Sequence, residues 1–198
     1  GKEDQAFLSN STRTIINQVE VLRDMVNAFG EFAKDPQLKF ERFDFNQLLM
    51  ESVDLFEEEK NVKYFTILLD EGITFVEGDV KRVRQILNNV FKNAIDATKD
   101  CSNPQITVTS KLLTDERKGY FELKIIDNGH GFDPTFLQDA FQPYVTTKSK
   151  GTGLGLAIVK KLVQEHFGFI AAENNPDQGA CLTILLPTKQ KKGIKNKT

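Results

Sequence analysis

Gly151-Thr152-Gly153-Leu154-Gly155-Leu156-Ala157-Ile158-Val159-Lys160 is the most telling stretch of this 198-residue chain. Three glycines alternate over five residues and give way to an amphipathic pattern that predicts a helix from Gly153 to His166. Such a turn presents backbone N–H groups and the positive end of a helix to an anion, as phosphate sites do. It is not a Walker loop, because no Lys-Ser/Thr pair follows the glycines. Nor does it open after the first strand, as a dinucleotide fingerprint does. A purely structural glycine turn is the alternative, and so dense a run of glycines fits it poorly.

Working outward, the loop before these glycines contains Phe141-Gln142-Pro143-Tyr144-Val145-Thr146-Thr147-Lys148. Its hydroxyl-rich, cationic end is too polar for core and suits a lid that orders over phosphates, although Lys148 alone reads equally as a surface lysine. Before it, Asp127-Asn128-Gly129-His130-Gly131-Phe132 follows an apolar strand. A carboxylate at a strand end can accept a hydrogen bond from an exocyclic amine, and Gly129 and Gly131 let backbone approach a flat ring. Alone, the segment is also a plain Asp-Asn-Gly turn. Further upstream lies Asn88-Asn89-Val90-Phe91-Lys92-Asn93-Ala94. Asn89 and Asn93 are four apart and share a helical face. Carboxamide oxygens suit magnesium, which takes few protein ligands and leaves its other positions to water and phosphate. Alone, that pair is more often a solvated face.

The remaining pattern supplies a frame. Ile15, Val19, Leu22, Val26, Phe29 and Ala33 recur at spacings of four and three between Ser9 and Lys34, the stripe of a helix packed along another helix. It ends near Asp35-Pro36, and an extended piece follows from Leu38 to Phe43. Asp44 caps a predicted helix through Lys60 whose apolar side holds Leu48, Leu49, Val53, Leu55 and Phe56. Strands are expected over Phe65–Leu69 and Ile73–Val76 with a turn at Glu71-Gly72. Asp79 caps a helix from Val80 to Lys99, with Val83, Ile86, Leu87, Val90, Ala94 and Ala97 on one face. Gln105–Leu113 and Tyr120–Ile126 read as a hairpin, and Gly168–Glu173 with Ala180–Leu186 as a closing pair. This order of helices and mostly antiparallel strands predicts an α+β, two-layer sandwich.

Composition narrows the function classes. Hydrophobic residues make up 39% of the chain, enough for one core with an accessory element. A net charge of -2 gives no basic field for nucleic acid. Cys101 and Cys181 fit no metal or redox spacing and read as reduced thiols, and no run approaches the roughly 18 apolar residues of a membrane helix. The lysine-rich end after Lys189 reads as a basic tail.

Together, in this order, the four motifs resemble the catalytic ATP-binding domain of bacterial sensor histidine kinases. That domain belongs to the ATPase superfamily shared with DNA gyrase, the Hsp90 chaperone and MutL. Asn89–Asn93 match its N box, Asp127–Phe132 its first glycine box, Phe141–Lys148 its F box and Gly151–Leu156 its second glycine box. The stretch from Pro143 to His166 is similar to nitrogen-regulation kinases of the NtrY type. The resemblance implies the Bergerat ATP-binding fold over 37–187, the second helix of a dimerisation hairpin over 1–36, and a tail over 188–198. It implies ATP and Mg2+ as cofactors: Asp127 holds the adenine amino group, Asn93 coordinates the metal assisted by Asn89, and Thr183 lies beneath the adenine. Gly129 and Gly131 shape the adenine end. Lys92 and Lys148 meet phosphate oxygens, and Gly151, Thr152, Gly153, Leu154, Gly155 and Leu156 wrap them, with Lys148 and Asn89 as the catalytic pair.

In the gyrase, chaperone and MutL branches a glutamate stands four residues before the metal asparagine and activates water. Here that position is Asn89, and a carboxamide cannot act as a general base near neutral pH. What remains is positioning and charge neutralisation of a γ-phosphoryl group, which suits transfer to an external nucleophile. His130 and His166 are the only histidines, and neither resembles a phosphoacceptor. The expected partners are therefore the phosphoacceptor helix of the same kinase, a response regulator receiver domain, and a second copy in the full-length protein, in a cytoplasmic domain whose parent can carry an inner-membrane anchor. A non-kinase ATPase module and a binding-only pseudokinase are the alternatives.

Overall fold

The computed structural model describes residues 11–16, 18–19, 22–23, 26, 29–30, 38–60, 64–72, 75–146, 148 and 151–189. Its described residues up to 30 are helical and form the arm α1. The stripe on this arm lies open: Ile15, Val19, Leu22, Val26 and Phe29 are each at least 55% exposed. Ala33 and the expected helix end at Asp35-Pro36 lie outside the described residues.

From residue 41 onward the order is β1 (Glu41–Asp44), α2 (Phe45–Lys60), β2 (Phe65–Leu68), β3 (Phe75–Gly78), α3 (Val80–Thr98), β4 (Ile106–Leu112) and β5 (Tyr120–Asp127), then α4 (Gly155–Glu165), β6 (Phe169–Asn174) and β7 (Ala180–Pro187). The five-stranded sheet runs β2-β4-β5-β7-β6, with only the β2–β4 pair parallel. The helices cover one face, giving the expected α+β sandwich. Alternation explains the orientation of the sheet. Phe121, Leu123 and Ile125 of β5 are buried beneath the helices, while Glu122 and Lys124 point outward and pair at 3.5 Å.

Both expected caps form: Asp44 Oδ1 accepts the Gln47 amide at 3.0 Å and Asp79 Oδ1 the Arg82 amide at 3.2 Å. Above the sheet, α3 buries Val83, Ile86, Leu87, Val90, Phe91 and Ala94, each large aliphatic being worth roughly 1.5–3 kcal/mol of burial. This packing fixes where the opposite face of α3 points, and that face carries Asn89 and Asn93.

Several expectations need correction. The Glu71-Gly72 turn exists, but it separates strands of different sheets: β2 runs parallel to β4, and β3 pairs with β1. Leu55 is 55% exposed because it lies two residues beyond Val53, off the buried face of α2. Thr188, expected in the tail, still belongs to the fold. Its amide donates to Gly119 O at 2.8 Å and its carbonyl accepts from Glu77 at 3.1 Å. Residues 190–198 lie outside the described residues.

His166 joins the two sheets. It is 1% exposed, its Nε2 accepts the Asp79 amide at 3.0 Å, and its Nδ1 donates to Leu162 O at 2.7 Å. That pattern requires a neutral ring. Burial pushes its pKa below the ordinary value, which agrees with this role.

Candidate functional site

The half-buried flank of α3 that carries Asn89 and Asn93 is the rail along which the motifs assemble. Asn89 donates its Nδ2 to Gln85 O at 2.9 Å, leaving Oδ1 as its outward atom. The backbone of Gly155, at the start of α4, stands against both asparagines: a Cβ placed there would lie 3.6 Å from Asn93 Nδ2 and 3.7 Å from Asn89 Oδ1. The amides of the first turn of α4 have no partner within the helix, so its positive end faces two carboxamides. Leu154, 1% exposed, and the partly buried Leu156 pack into the core and anchor this end, so that only backbone there can serve a ligand.

One turn further along α3, Ala97 receives the first glycine segment. A Cβ at Gly129 would collide with the Ala97 carbonyl, so only glycine permits the approach. The rise of four helical residues puts this contact about 6 Å beyond Asn93. Asp127 ends β5 here, 7% exposed, and its Oδ1 accepts the amides of Gly129 at 2.9 Å and Ala180 at 3.3 Å. Oδ2 joins none of the described hydrogen bonds. Burial pushes the Asp127 carboxyl above the ordinary range, against the pull of the two amides. A buried carboxylate with one oxygen unused is an acceptor waiting for a donor.

The surrounding turn is fixed by backbone. Asn128 receives the Gln105 amide on Oδ1 at 2.9 Å and donates Nδ2 to Asn103 O at 2.9 Å. Asn174 likewise bridges both backbone groups of Phe132, at 2.7 and 2.8 Å. Gly179, at φ 86°, lies against the Asp127 carbonyl with no room for a Cβ.

The segment before the second glycine box folds onto that box. Tyr144 donates its amide to Gly153 O at 3.0 Å, and Gly153, at φ 66°, crowds the Tyr144 backbone. Thr146 Oγ1 accepts the Lys148 amide at 3.1 Å, and the Gly151 amide reaches Lys148 O at 3.1 Å. Thr152 Oγ1 accepts the Leu154 amide at 3.3 Å. Lys148 extends to α3, where Nζ lies 2.9 Å from Asp96 Oδ2 and 3.4 Å from Asn93 Oδ1.

The structure thus brings Asn89, Asn93, Lys148 and the Gly151–Gly155 turn together, with Gly129 seated on the next turn of α3 at Ala97, Asp127 bonded to it, and Gly131 set against Asn174 and Gly179. Lys92 is exposed beside Asn93 and joins none of the described hydrogen bonds or ion pairs. Thr183 is set apart. It pairs with Lys124 across β5–β7, on the outer face of the sheet, whereas Asp127 points to the helix face. Ala180 holds the place beside Asp127 that the sequence reading gave to Thr183. Asp96 was missed too, although it continues the Asn89–Asn93 face by three residues; nothing in sequence shows that Lys148 reaches it.

Comparison with known proteins identifies the family. Residues 78–190 match the family model described as Histidine kinase-, DNA gyrase B-, and HSP90-like ATPase. A protein named as an NtrY-like sensor histidine kinase of Rickettsia felis is 30% identical over 198 residues, which cover 96% of this chain and 31% of that protein. The sensor histidine kinase ZraS of Klebsiella oxytoca is 31% identical over 86% of this chain and 36% of its own length. The chain thus spans about a third of the length of these curated relatives. The solved catalytic domain of histidine kinase ThkA superposes with a TM-score of 0.67 at 31% identity, over 76% of this chain and 97% of that one. Histidine kinase ThkA in complex with the response regulator protein TrrA gives a TM-score of 0.74 at 28% identity, over 91% and 51% respectively.

Proposed function

The chain belongs to the histidine kinase-, DNA gyrase B- and HSP90-like ATPase family, and on that premise we propose that it binds ATP with magnesium and donates the γ-phosphoryl group to a histidine of a two-component sensor kinase. The observation that carries the proposal is the convergence on one face of α3. The largely buried Asp127, with an oxygen that joins no described hydrogen bond, precedes the glycine turn seated on Ala97, and two carboxamides, a lysine and a helix N-terminus gather one turn earlier. A molecule with an amine-bearing ring at one end and a polyanion at the other fits that order.

In this reading Asp127 Oδ2 accepts the exocyclic amine of adenine, and the Gly129 and Gly131 turns give the ring its flat approach. The amides from Gly151 to Gly155, at the positive end of α4, receive phosphate oxygens, and Lys148 and Lys92 supply cations. Asn89 Oδ1 and Asn93 Oδ1 are the hard neutral oxygens that suit magnesium, which supplies charge neutralisation on the phosphates when bound. Hydrolysis is disfavoured. Asn89 is no general base, and the carboxylate beside Asn93, that of Asp96, is engaged by Lys148.

The acceptor histidine lies outside this chain, since His166 is a buried pin and His130, bonded at Nδ1 to Gly131 O at 2.6 Å, sits within the glycine turn. The open stripe of α1 suits the other helix of a dimerisation hairpin, and hence a homodimer of the complete kinase in the cytoplasm. Relay to a response regulator receiver domain follows the pairing of ThkA with TrrA. Among the described residues, no helix is long and apolar enough to cross a membrane.

The test has two stages. Calorimetric titration of a non-hydrolysable ATP analogue gives magnesium-dependent binding in the native chain that is weakened about 10- to 100-fold in Asp127→Ala. Phosphotransfer from ATP to a separately supplied, histidine-bearing hairpin then appears. Binding without any transfer favours the pseudokinase reading, and no binding by a folded chain removes the nucleotide assignment.

A further inference from the structure

We propose that Asp96 is the resting partner of the lid: it holds Lys148 on α3 beside Asn93 and releases the lysine when the phosphates of a nucleotide arrive. The release half of this inference rests on the nucleotide reading above. The holding half rests on geometry alone. Asn89, Asn93 and Asp96 follow one another at spacings of four and three and so form one row on α3. Lys148 closes on that row with Nζ 2.9 Å from Asp96 Oδ2 and 3.4 Å from Asn93 Oδ1. Its amide donates to Thr146 Oγ1 and its carbonyl accepts the Gly151 amide, so the ion pair is tied through Lys148 to both of these residues.

Two consequences follow from the charges. An ammonium next to Asn93 Oδ1 occupies the neighbourhood that a divalent cation needs, so arrival of metal and departure of the lysine are linked. A carboxylate in the same row repels a triphosphate, and it competes with the phosphates for Lys148. The pair is only partly shielded, with side-chain exposures of 36% for Lys148 and 44% for Asp96. Exposed ion pairs of this kind favour the paired state by a factor of about two to five. That is enough to bias the lid, yet weak beside the charge-assisted hydrogen bonds a phosphate offers. Apparent affinity for nucleotide falls by the fraction of chains whose lysine is held in this way.

The test uses the full chain, its Asp96→Asn and Lys148→Met variants, and the double variant, with a non-hydrolysable ATP analogue and magnesium as the probe. Asp96→Asn is expected to bind the analogue about two- to fivefold tighter, and that gain to lose more than half its size in the Lys148→Met background. A gain that keeps its size without Lys148 overturns the inference, because Asp96 then acts by charge alone. Unchanged binding in Asp96→Asn also overturns it, and weaker binding overturns it by making Asp96 a part of the ligand site. A second readout needs no nucleotide. Amide hydrogen exchange at Lys148 and Gly151, whose amides donate to Thr146 Oγ1 and Lys148 O, is expected to quicken about two- to fivefold in Asp96→Asn. Unchanged exchange sinks the holding role whether or not ATP binds. Faster exchange in a chain that binds no analogue keeps the latch and removes the nucleotide reading.

Discussion

The turn after Asp127 and the side chain of Lys148 meet α3 within one turn of each other, and the two residues are held in opposite ways. Asp127 is 7% exposed, its Oδ1 takes two backbone amides, and glycines on both sides bring main chain into contact with its turn. Lys148 is partly exposed and reaches α3 through side-chain contacts alone. Backbone contacts set in a packed core leave little freedom, whereas an ion pair between two long side chains can be exchanged for another. The end that would recognise a base is therefore built before the ligand arrives, and the end that would hold phosphates is adjustable.

The strongest way to break this contrast is to disturb the rigid end. Gly179→Ala forces a side chain into a left-handed backbone at φ 86°, against the Asp127 carbonyl. The conformation alone costs about 1–2 kcal/mol, and the collision adds to it. A loss of about 2–4 kcal/mol in denaturant unfolding is expected; a loss below about 1 kcal/mol means that the turn yields and is not preformed. Next in size, Asp127→Ala removes a charged acceptor worth about 1.5–3 kcal/mol, so binding of an ATP analogue falls by about 10- to 100-fold in calorimetry. Lys148→Met, at the adjustable end, is expected to lower affinity by less than about tenfold, since the ammonium is partly solvated. If it proves the more damaging of the two, the contrast is reversed and the phosphates dominate recognition.

Legibility in the sequence follows the same division. Features set by neighbours in sequence were readable: the caps Asp44 and Asp79, the alternation in β5, and the glycine turns that need small residues. Features set by contacts across the fold were not. Nothing local assigns β2 to β4 and β3 to β1, because each strand is only four residues long and pairs with a distant element. Phe91 is fully buried because Phe56 and Phe65 lie 6.0 and 5.0 Å from its ring, a cluster drawn from three elements. Thr183 failed on parity: strand side chains alternate, and the face it takes depends on the register with Lys124. Asp96 stood in plain view one turn after Asn93, but its meaning comes from a lysine 52 residues away in sequence.

The smallest effect sharpens the contrast through pH. Burial lifts the Asp127 carboxyl above 3.8, so the folded chain holds this proton more tightly than the unfolded one. Its contribution to stability is complete below 3.8 and is lost as pH rises through the folded value. At neutral pH the ionised group is thus a net cost, which a donor on Oδ2 offsets. His166 runs the other way. Burial lowers it from 6.5, so its contribution is complete above 6.5 and declines as pH falls below that value, when the ring must give up the Asp79 amide it accepts. Asp127→Asn keeps an oxygen for Gly129 and Ala180 and removes the charge. It is expected to melt above the native chain at pH 7, with the gap narrowing toward pH 4, while ATP analogue binding weakens. That pairing of higher stability with weaker binding marks a site whose strain is held for a ligand. A lower melting temperature for Asp127→Asn at pH 7 shows instead that the two amides prefer the carboxylate, and that the buried acceptor is already satisfied without one.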